Sequence, residues 1–384
     1  MASVLDAMEP ASLALLRAGT VIPAQPLALT ADRRFDERRQ RALTRYYHAA
    51  GAGGVAVGVH TTQFEIRDVG LYRPVLEMAA EVSRETLGGN APAGSATTGP
   101  RPLVQVAGAS GPTAQAVAEA QVAAELGYDA VLLAPRVAGL SGTREEVERY
   151  LLDRARAVGE VLPVIGFYLQ EAIGGPRLSV DFWREFAAIE AVVAVKAAPF
   201  DRYRTIDVLR GVAESGRADQ ISLYTGNDDA IIADLVSEVD VPVTGSASPY
   251  TARFVGGLLG QWAVWTRGAV ETLRLAQAAR GVTADGTLTV PDDAALRLLV
   301  ARQTGLTDAN AAVFDSTNDF AGVIAGVHEV LRRQGLLEGI WCLDPAETLS
   351  PGQADELTRV TAAYPWLGAS DDAFVAEHLD AWLA

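Results

Sequence analysis

Eight short apolar runs, separated by stretches with helical spacing, set the narrowest limit on how this chain can fold. The runs cover 20–29, 54–61, 102–107, 130–134, 163–168, 192–196, 221–224 and 241–244. Unbroken apolar runs of this length mark strands buried on both faces, as in parallel sheets. Between them, 113–126, 144–158, 181–189 and 229–238 place apolar residues at helical spacing. Thr113 can cap the first of these helices and Gly127 can end it. The second opens with Thr143-Arg144-Glu145-Glu146, an N-terminal signature. The expected fold class is therefore α/β, a (β/α)8 TIM barrel with a C-terminal helical extension. The barrel, with an N-terminal helix, is expected over 1–250. The last barrel helix and a helical bundle are expected over 251–384, from helical patterns at 253–279, 294–303, 321–334 and 351–363. A doubly wound open sheet is the rival, but Pro23-Ala24-Gln25-Pro26 is not the glycine-rich turn such a sheet carries after its first strand. The segment 88–102, GGNAPAGSATTGPRP, reads as a surface loop.

Charge and cysteine usage remove several function classes. A net charge of −16 excludes nucleic-acid binding through a basic surface and argues against anionic membranes. One cysteine, Cys342, cannot form an internal disulfide, which fits a reducing, cytoplasmic setting. The first residues show no basic segment ahead of an apolar run, and no apolar stretch is long enough for a membrane span. Two glycine-rich stretches, Gly51-Ala52-Gly53-Gly54 and Gly108-Ala109-Ser110-Gly111, lack the lysine of a phosphate loop and read as turns.

Of the 32 lysine and arginine residues, all but one are arginine. The exception, Lys196, ends the run Val192-Val193-Ala194-Val195-Lys196. A guanidinium stays protonated, whereas a desolvated ε-amine loses its proton near neutral pH and attacks carbonyls. Lys196 is thus a candidate imine-forming lysine, against the plain alternative of a surface lysine at a strand end. In a barrel, Tyr168 at the end of the fifth strand neighbours it and can shuttle protons, although strand-end tyrosines are commonly half-buried core residues. The hydroxyls of Thr61 and Thr62, with nearby backbone N–H groups, suit a carboxylate; strand propensity explains them equally. His60 and Gln63 flank that pair, with a satisfied strand-end histidine as the alternative for His60. Gly226 and Ser246 complete the candidate substrate-binding residues.

These segments resemble the dihydrodipicolinate synthase / N-acetylneuraminate lyase family of Schiff-base (class I) aldolases. The family's threonine loop is similar to His60-Thr61-Thr62-Gln63-Phe64, and its tyrosine strand to Pro163-Val164-Ile165-Gly166-Phe167-Tyr168. Its lysine strand is similar to Val192-Val193-Ala194-Val195-Lys196-Ala197, and its acidic turn to Gly226-Asn227-Asp228-Asp229. The resemblance implies that Lys196 forms an imine with a 2-oxo acid and that Tyr168 and Thr61 relay protons. It also implies that Thr62 binds the substrate carboxylate, that no cofactor is needed, and that the protein is a homo-oligomer, dimer or tetramer.

Several departures mark a divergent member. The tyrosine expected after the fourth strand is absent from Ala134-Pro135-Arg136-Val137-Ala138. The arginine expected soon after Tyr168 is absent too, with Arg177 displaced. The threonine loop has lost a glycine at Gln63, which could remove a close backbone approach to a carboxylate. The reading is therefore a lyase acting on a 2-oxo acid, distinct from dihydrodipicolinate synthase itself. A Schiff-base dehydratase of a hydroxylated 2-oxo acid is the alternative within the family, and a non-catalytic small-acid-binding barrel the alternative outside it. A metal enzyme fits poorly, because His48, His60, His328 and His378 show no ligand spacing, and Asp228-Asp229 reads as charge at a helix start. Asp315-Ser316-Thr317-Asn318-Asp319 could cap a pocket or make a subunit contact, or simply cap a helix.

Overall fold

The computed structural model describes residues 4–97 and 99–384. Met1, where the reading of the N-terminus begins, lies outside the described residues. Among the described residues nine strands form, in chain order: β1 (Val21–Pro23), β2 (Gly54–Val57), β3 (Val104–Ala109), β4 (Ala130–Leu133), β5 (Val164–Leu169), β6 (Val192–Ala198), β7 (Ser222–Thr225), β8 (Glu238–Val241) and β9 (Tyr250–Leu259). The sheet runs β1-β9-β7-β6-β5-β4-β3-β2, all parallel along that path. A parallel bridge between Ala24 and Ala56 joins its two edges and closes the barrel. From β2 to β7 every strand residue is buried, as unbroken apolar runs require.

Helices α1 (Pro10–Ala18), α2 (Glu37–Ala50), α3 (Tyr72–Leu87), α4 (Thr113–Leu126), α5 (Arg144–Gly159), α6 (Val180–Ala187), α7 (Arg202–Ala213), α8 (Ile231–Val236) and α9 (Thr266–Ala279) belong to the barrel unit. α5 starts with a reciprocal capping box between Thr143 and Glu146. α4 ends at Gly127 in the left-handed conformation, but its cap residue is Pro112 and the Thr113 side chain makes no capping bond. Apolar side chains pack in two shells. Ile22, Ala56, Val106, Leu132, Ile165, Ala194 and Leu258 fill the barrel lumen. The opposite strand faces, including Tyr168, pack against helices.

The eighth barrel strand is not at 241–244. That segment leads out of β8, which pairs antiparallel with the first half of β9 and forms an outer hairpin. The barrel strand is β9, which starts at the expected boundary at 250 and runs into the segment 253–279 that reads as helical. Gly256-Gly257 obscures its strand pattern, and close packing accounts for both glycines. A Cβ on Gly256 would sit 2.4 Å from the Thr20 carbonyl oxygen, and one on Gly257 would sit 2.6 Å from the Trp262 ring.

Beyond the barrel, α10 (Asp293–Val313), α11 (Val323–Arg333), α12 (Gln353–Ala363) and α13 (Pro365–Leu383) form the C-terminal bundle. One buried carboxylate ties it down. Asp371 on α13 accepts hydrogen bonds from the Tyr46 hydroxyl (2.8 Å), the Arg267 N–H (2.9 Å) and Gln334 Nε2 (2.8 Å). It therefore joins α13 to α2, α9 and the end of α11. No helix among the described residues is long and apolar enough to cross a membrane. Asp371→Ala removes the acceptor of all three donors, the buried Tyr46 hydroxyl among them, and is expected to cost about 2–4 kcal/mol in urea unfolding. The exposed neighbour, Asp372→Ala, is expected to cost less than about 1 kcal/mol in the same measurement.

Candidate functional site

The C-terminal ends of the strands form the mouth of the barrel, where loops can gather side chains from several strands. β6 turns Ala194, Lys196 and Ala198 inward, and β5 turns Ile165, Phe167 and Leu169 inward. The register sets Lys196 between Phe167 and Tyr224. Its Nζ lies 4.3 Å from the centre of the Phe167 ring and faces a cavity of about 580 Å³. Among the described residues the amine has no hydrogen-bond or ion-pair partner. Burial pulls its pKa below the ordinary lysine value, with the charge of Asp228 opposing. Gly226 is needed for this placement, because a Cβ there would sit 2.5 Å from Lys196 Cε and 2.7 Å from Ala198 Cβ.

Asp228 lines the same cavity. It follows β7, and its Oδ1 accepts the Gln261 N–H at 3.3 Å. Burial raises its carboxyl pKa, while Lys196 pulls it back down. Both members of the pair are thus shifted towards their neutral forms, the state suited to passing a proton. His60 and Thr61 also line the cavity. The His60 pKa is pushed down to about 4, first by burial and then by Lys196 and Arg136, so the ring is neutral near pH 7. In the 3₁₀ turn His60–Thr62, internal bonds begin with the Thr62 N–H to Val59 and the Gln63 N–H to His60. The N–H groups of His60 and Thr61 are not used by the turn.

Other expected site residues lie elsewhere. The Tyr168 side chain points away from the lumen: its hydroxyl accepts the Leu178 N–H (3.3 Å) and its ring packs 5.5 Å from Trp183. A register irregularity between Val164 and Ile165 accompanies this arrangement, and Phe167 takes the position facing Lys196. The Thr62 hydroxyl donates to the Gln25 carbonyl (2.7 Å) and accepts from the N–H groups of Gly58 (3.0 Å) and Val59 (3.3 Å), so it staples its own loop. Gln63 keeps a glycine-like φ of 68°, and its Oε1 accepts the Leu343 N–H at 2.6 Å, tying the loop to the C-terminal segment. Ser246 lies exposed in the outer hairpin, where its hydroxyl donates to the Ser248 carbonyl. Thr61 is at the cavity, but its hydroxyl donates to the Ala24 carbonyl (2.7 Å).

No family model and no curated protein matches the sequence. Solved structures do match. A dihydrodipicolinate synthase from Acinetobacter baumannii, complexed with pyruvate, aligns with a TM-score of 0.65 at 16% identity, over 90% of this chain and 98% of that one. An N-acetylneuraminate lyase from Fusobacterium nucleatum aligns with a TM-score of 0.64 at 15% identity, over 91% of this chain and 99% of that one. YagE from E. coli K12, a prophage protein of the dihydrodipicolinic acid synthase family, gives 0.66 at 16% identity, over 90% and 98%. The chain has the dihydrodipicolinate synthase fold. At these identities the likeness fixes the fold alone.

Sequence reasoning missed two groups of residues at this site. It treated Asp228 as charge at a helix start, although the acidic turn quoted for the family resemblance contains it. It gave no role to the aromatic residues Phe167, Phe200, Phe314 and Phe320, which wall the cavity. Among the described residues, no cluster of three or more His, Cys, Asp or Glu side chains could hold a metal ion.

These placements give a direct test. Tyr168→Phe is expected to leave the reactivity of Lys196 within about twofold, while costing about 0.5–1.5 kcal/mol of stability for the lost hydrogen bond. Amine-directed labelling of Lys196 with pyridoxal phosphate and a urea melt measure the two effects.

Proposed function

We propose that this protein is a Schiff-base lyase that makes or breaks a carbon–carbon bond next to the carbonyl of a 2-oxo acid. One observation carries the reading: the single lysine of the chain presents an unpaired, desolvated amine at the mouth of the barrel. Two of the solved structures sharing the fold, the Acinetobacter synthase and YagE, are complexes with pyruvate. The N–H groups of His60 and Thr61 suit the acid's carboxylate.

The steps follow from the residues present. The Nζ lone pair attacks C2 of the acid, the carbonyl oxygen takes one proton from the amine and one from solvent and leaves as water, and a protonated imine forms. Asp228, as carboxylate, takes a proton from C3 and an enamine results. C3 then attacks the carbonyl carbon of a second substrate, and Asp228 returns the proton to that oxygen. Water hydrolyses the new imine and releases a 4-hydroxy-2-oxo acid. Cleavage is the same path reversed. The imine nitrogen is the electron sink, so these steps require no metal or organic cofactor.

A role distinct from dihydrodipicolinate synthase also belongs to this proposal. Among the described residues no tyrosine lines the cavity, and Arg177 pairs with Glu171 at the surface. A homo-oligomer remains part of the proposal, and light scattering measures it.

Treatment with pyruvate and borohydride is expected to add mass at Lys196 and not to Lys196→Arg. A folded sample without an adduct from any 2-oxo acid contradicts the reading. The pH dependence has a defined sign. Capture needs the neutral amine, so its rate should rise with pH and level off at an inflection below the ordinary lysine value of 10.5. Asp228→Asn is expected to retain the adduct and lose about 10²–10⁴-fold in turnover, the usual range for a lost general acid–base.

A further inference from the structure

Resting on the imine reading, we propose that the second substrate is a ring-bearing, largely apolar aldehyde, held in a chamber built by the C-terminal bundle. The Lys196 cavity adjoins a second chamber of about 370 Å³, and the two share Phe200, Asp228, Phe314 and Phe320. A group lying across Asp228 therefore reaches from the reacting lysine into an aromatic enclosure. Phe314 ends α10, and Phe320 stands in the turn before α11, so the bundle supplies two of the three rings.

Two of those rings are held against backbone preference. Phe200 has φ of 52° and Phe320 has φ of 65°, a region that bulky residues rarely adopt. Asn227 Oδ1 accepts the Phe200 N–H (3.2 Å), and the Asp315 carbonyl accepts the Phe320 N–H (3.1 Å). The rings meet edge to face, with centroids 5.7 Å apart. Glycine or asparagine would suit either backbone better, so the aromatic side chains are what these positions supply.

Two of the chamber's polar side chains are already committed to the chain. Thr307 donates its hydroxyl proton to the Asp229 carbonyl (2.8 Å). Asn310, 2% exposed, donates Nδ2–H to the Asp228 carbonyl (2.6 Å), and its Oδ1 is buried. A polyol would bring several hydroxyls against phenylalanine rings that can pair with none of them. The bond-making step is the one given above. The enamine carbon joins the aldehyde carbon, and the proton that Asp228 took from C3 goes to the aldehyde oxygen.

The test is aldol formation by the full-length protein from pyruvate with benzaldehyde and with D-glyceraldehyde. Benzaldehyde should show a KM tenfold or more below that of glyceraldehyde. Phe320→Ala, or Phe320→Leu if the first fails to fold, should shrink the aryl-over-glyceraldehyde preference tenfold or more. A pyruvate adduct at Lys196 together with equal or better use of glyceraldehyde overturns the acceptor proposal and leaves the imine reading standing. Absence of any adduct overturns the imine reading, and calorimetric titration of the same aldehydes into the protein then decides the subsite. Benzaldehyde binding at least tenfold tighter than glyceraldehyde supports it; equal binding, or none, overturns it.

Discussion

Desolvation of a single amine organises the mouth of this barrel. Lys196 sits where a charged group is costly, against the face of Phe167 and apart from any ion-pair partner. The surroundings serve that position. Gly226 leaves room for the lysine stem, Asp228 provides the acidic partner within the cavity, and neutral His60 adds no competing charge. Removing the burial would return the amine to an ordinary, protonated lysine.

The barrel was legible because parallel strands buried on both faces leave unbroken apolar runs that survive in the sequence. The lysine was legible because composition isolates it. Strand parity was harder to read. One residue of offset exchanges lumen and helix-facing sides, and the irregularity at Val164/Ile165 accompanies just such an exchange between Phe167 and Tyr168. The spacing from Tyr168 to Lys196 therefore fits the family pattern while the phenol faces Trp183. Thr62 and Gln63 were hidden for another reason. Their partners, Gln25 and Leu343, are distant in sequence, so local reading could not show that both side chains hold the loop in place. Ser246 followed from misplacing the eighth strand, where the pattern of β9 was interrupted by Gly256-Gly257.

The C-terminal bundle links fold to chemistry. Asp371 fastens α13 to the barrel, and Leu343 fastens the bundle to the threonine loop through Gln63. From this anchored position, Phe314 and Phe320 close over a cavity whose lysine and aspartate come from the barrel. The barrel thus supplies the reactive groups and the bundle shapes the space in front of them. On the proposed reading, this division separates reaction type from substrate preference.

The most direct measurement of the central claim is a crystal structure of the protein after pyruvate treatment and borohydride reduction. The account predicts continuous density from Lys196 Nζ to the former C2 of pyruvate. The carboxylate should lie on the N–H groups of His60 and Thr61, the Asp228 carboxyl should face the adduct, and Tyr168 should remain against Trp183. An unmodified Lys196, or an adduct with Asp228 turned away and a phenol in its place, would contradict it.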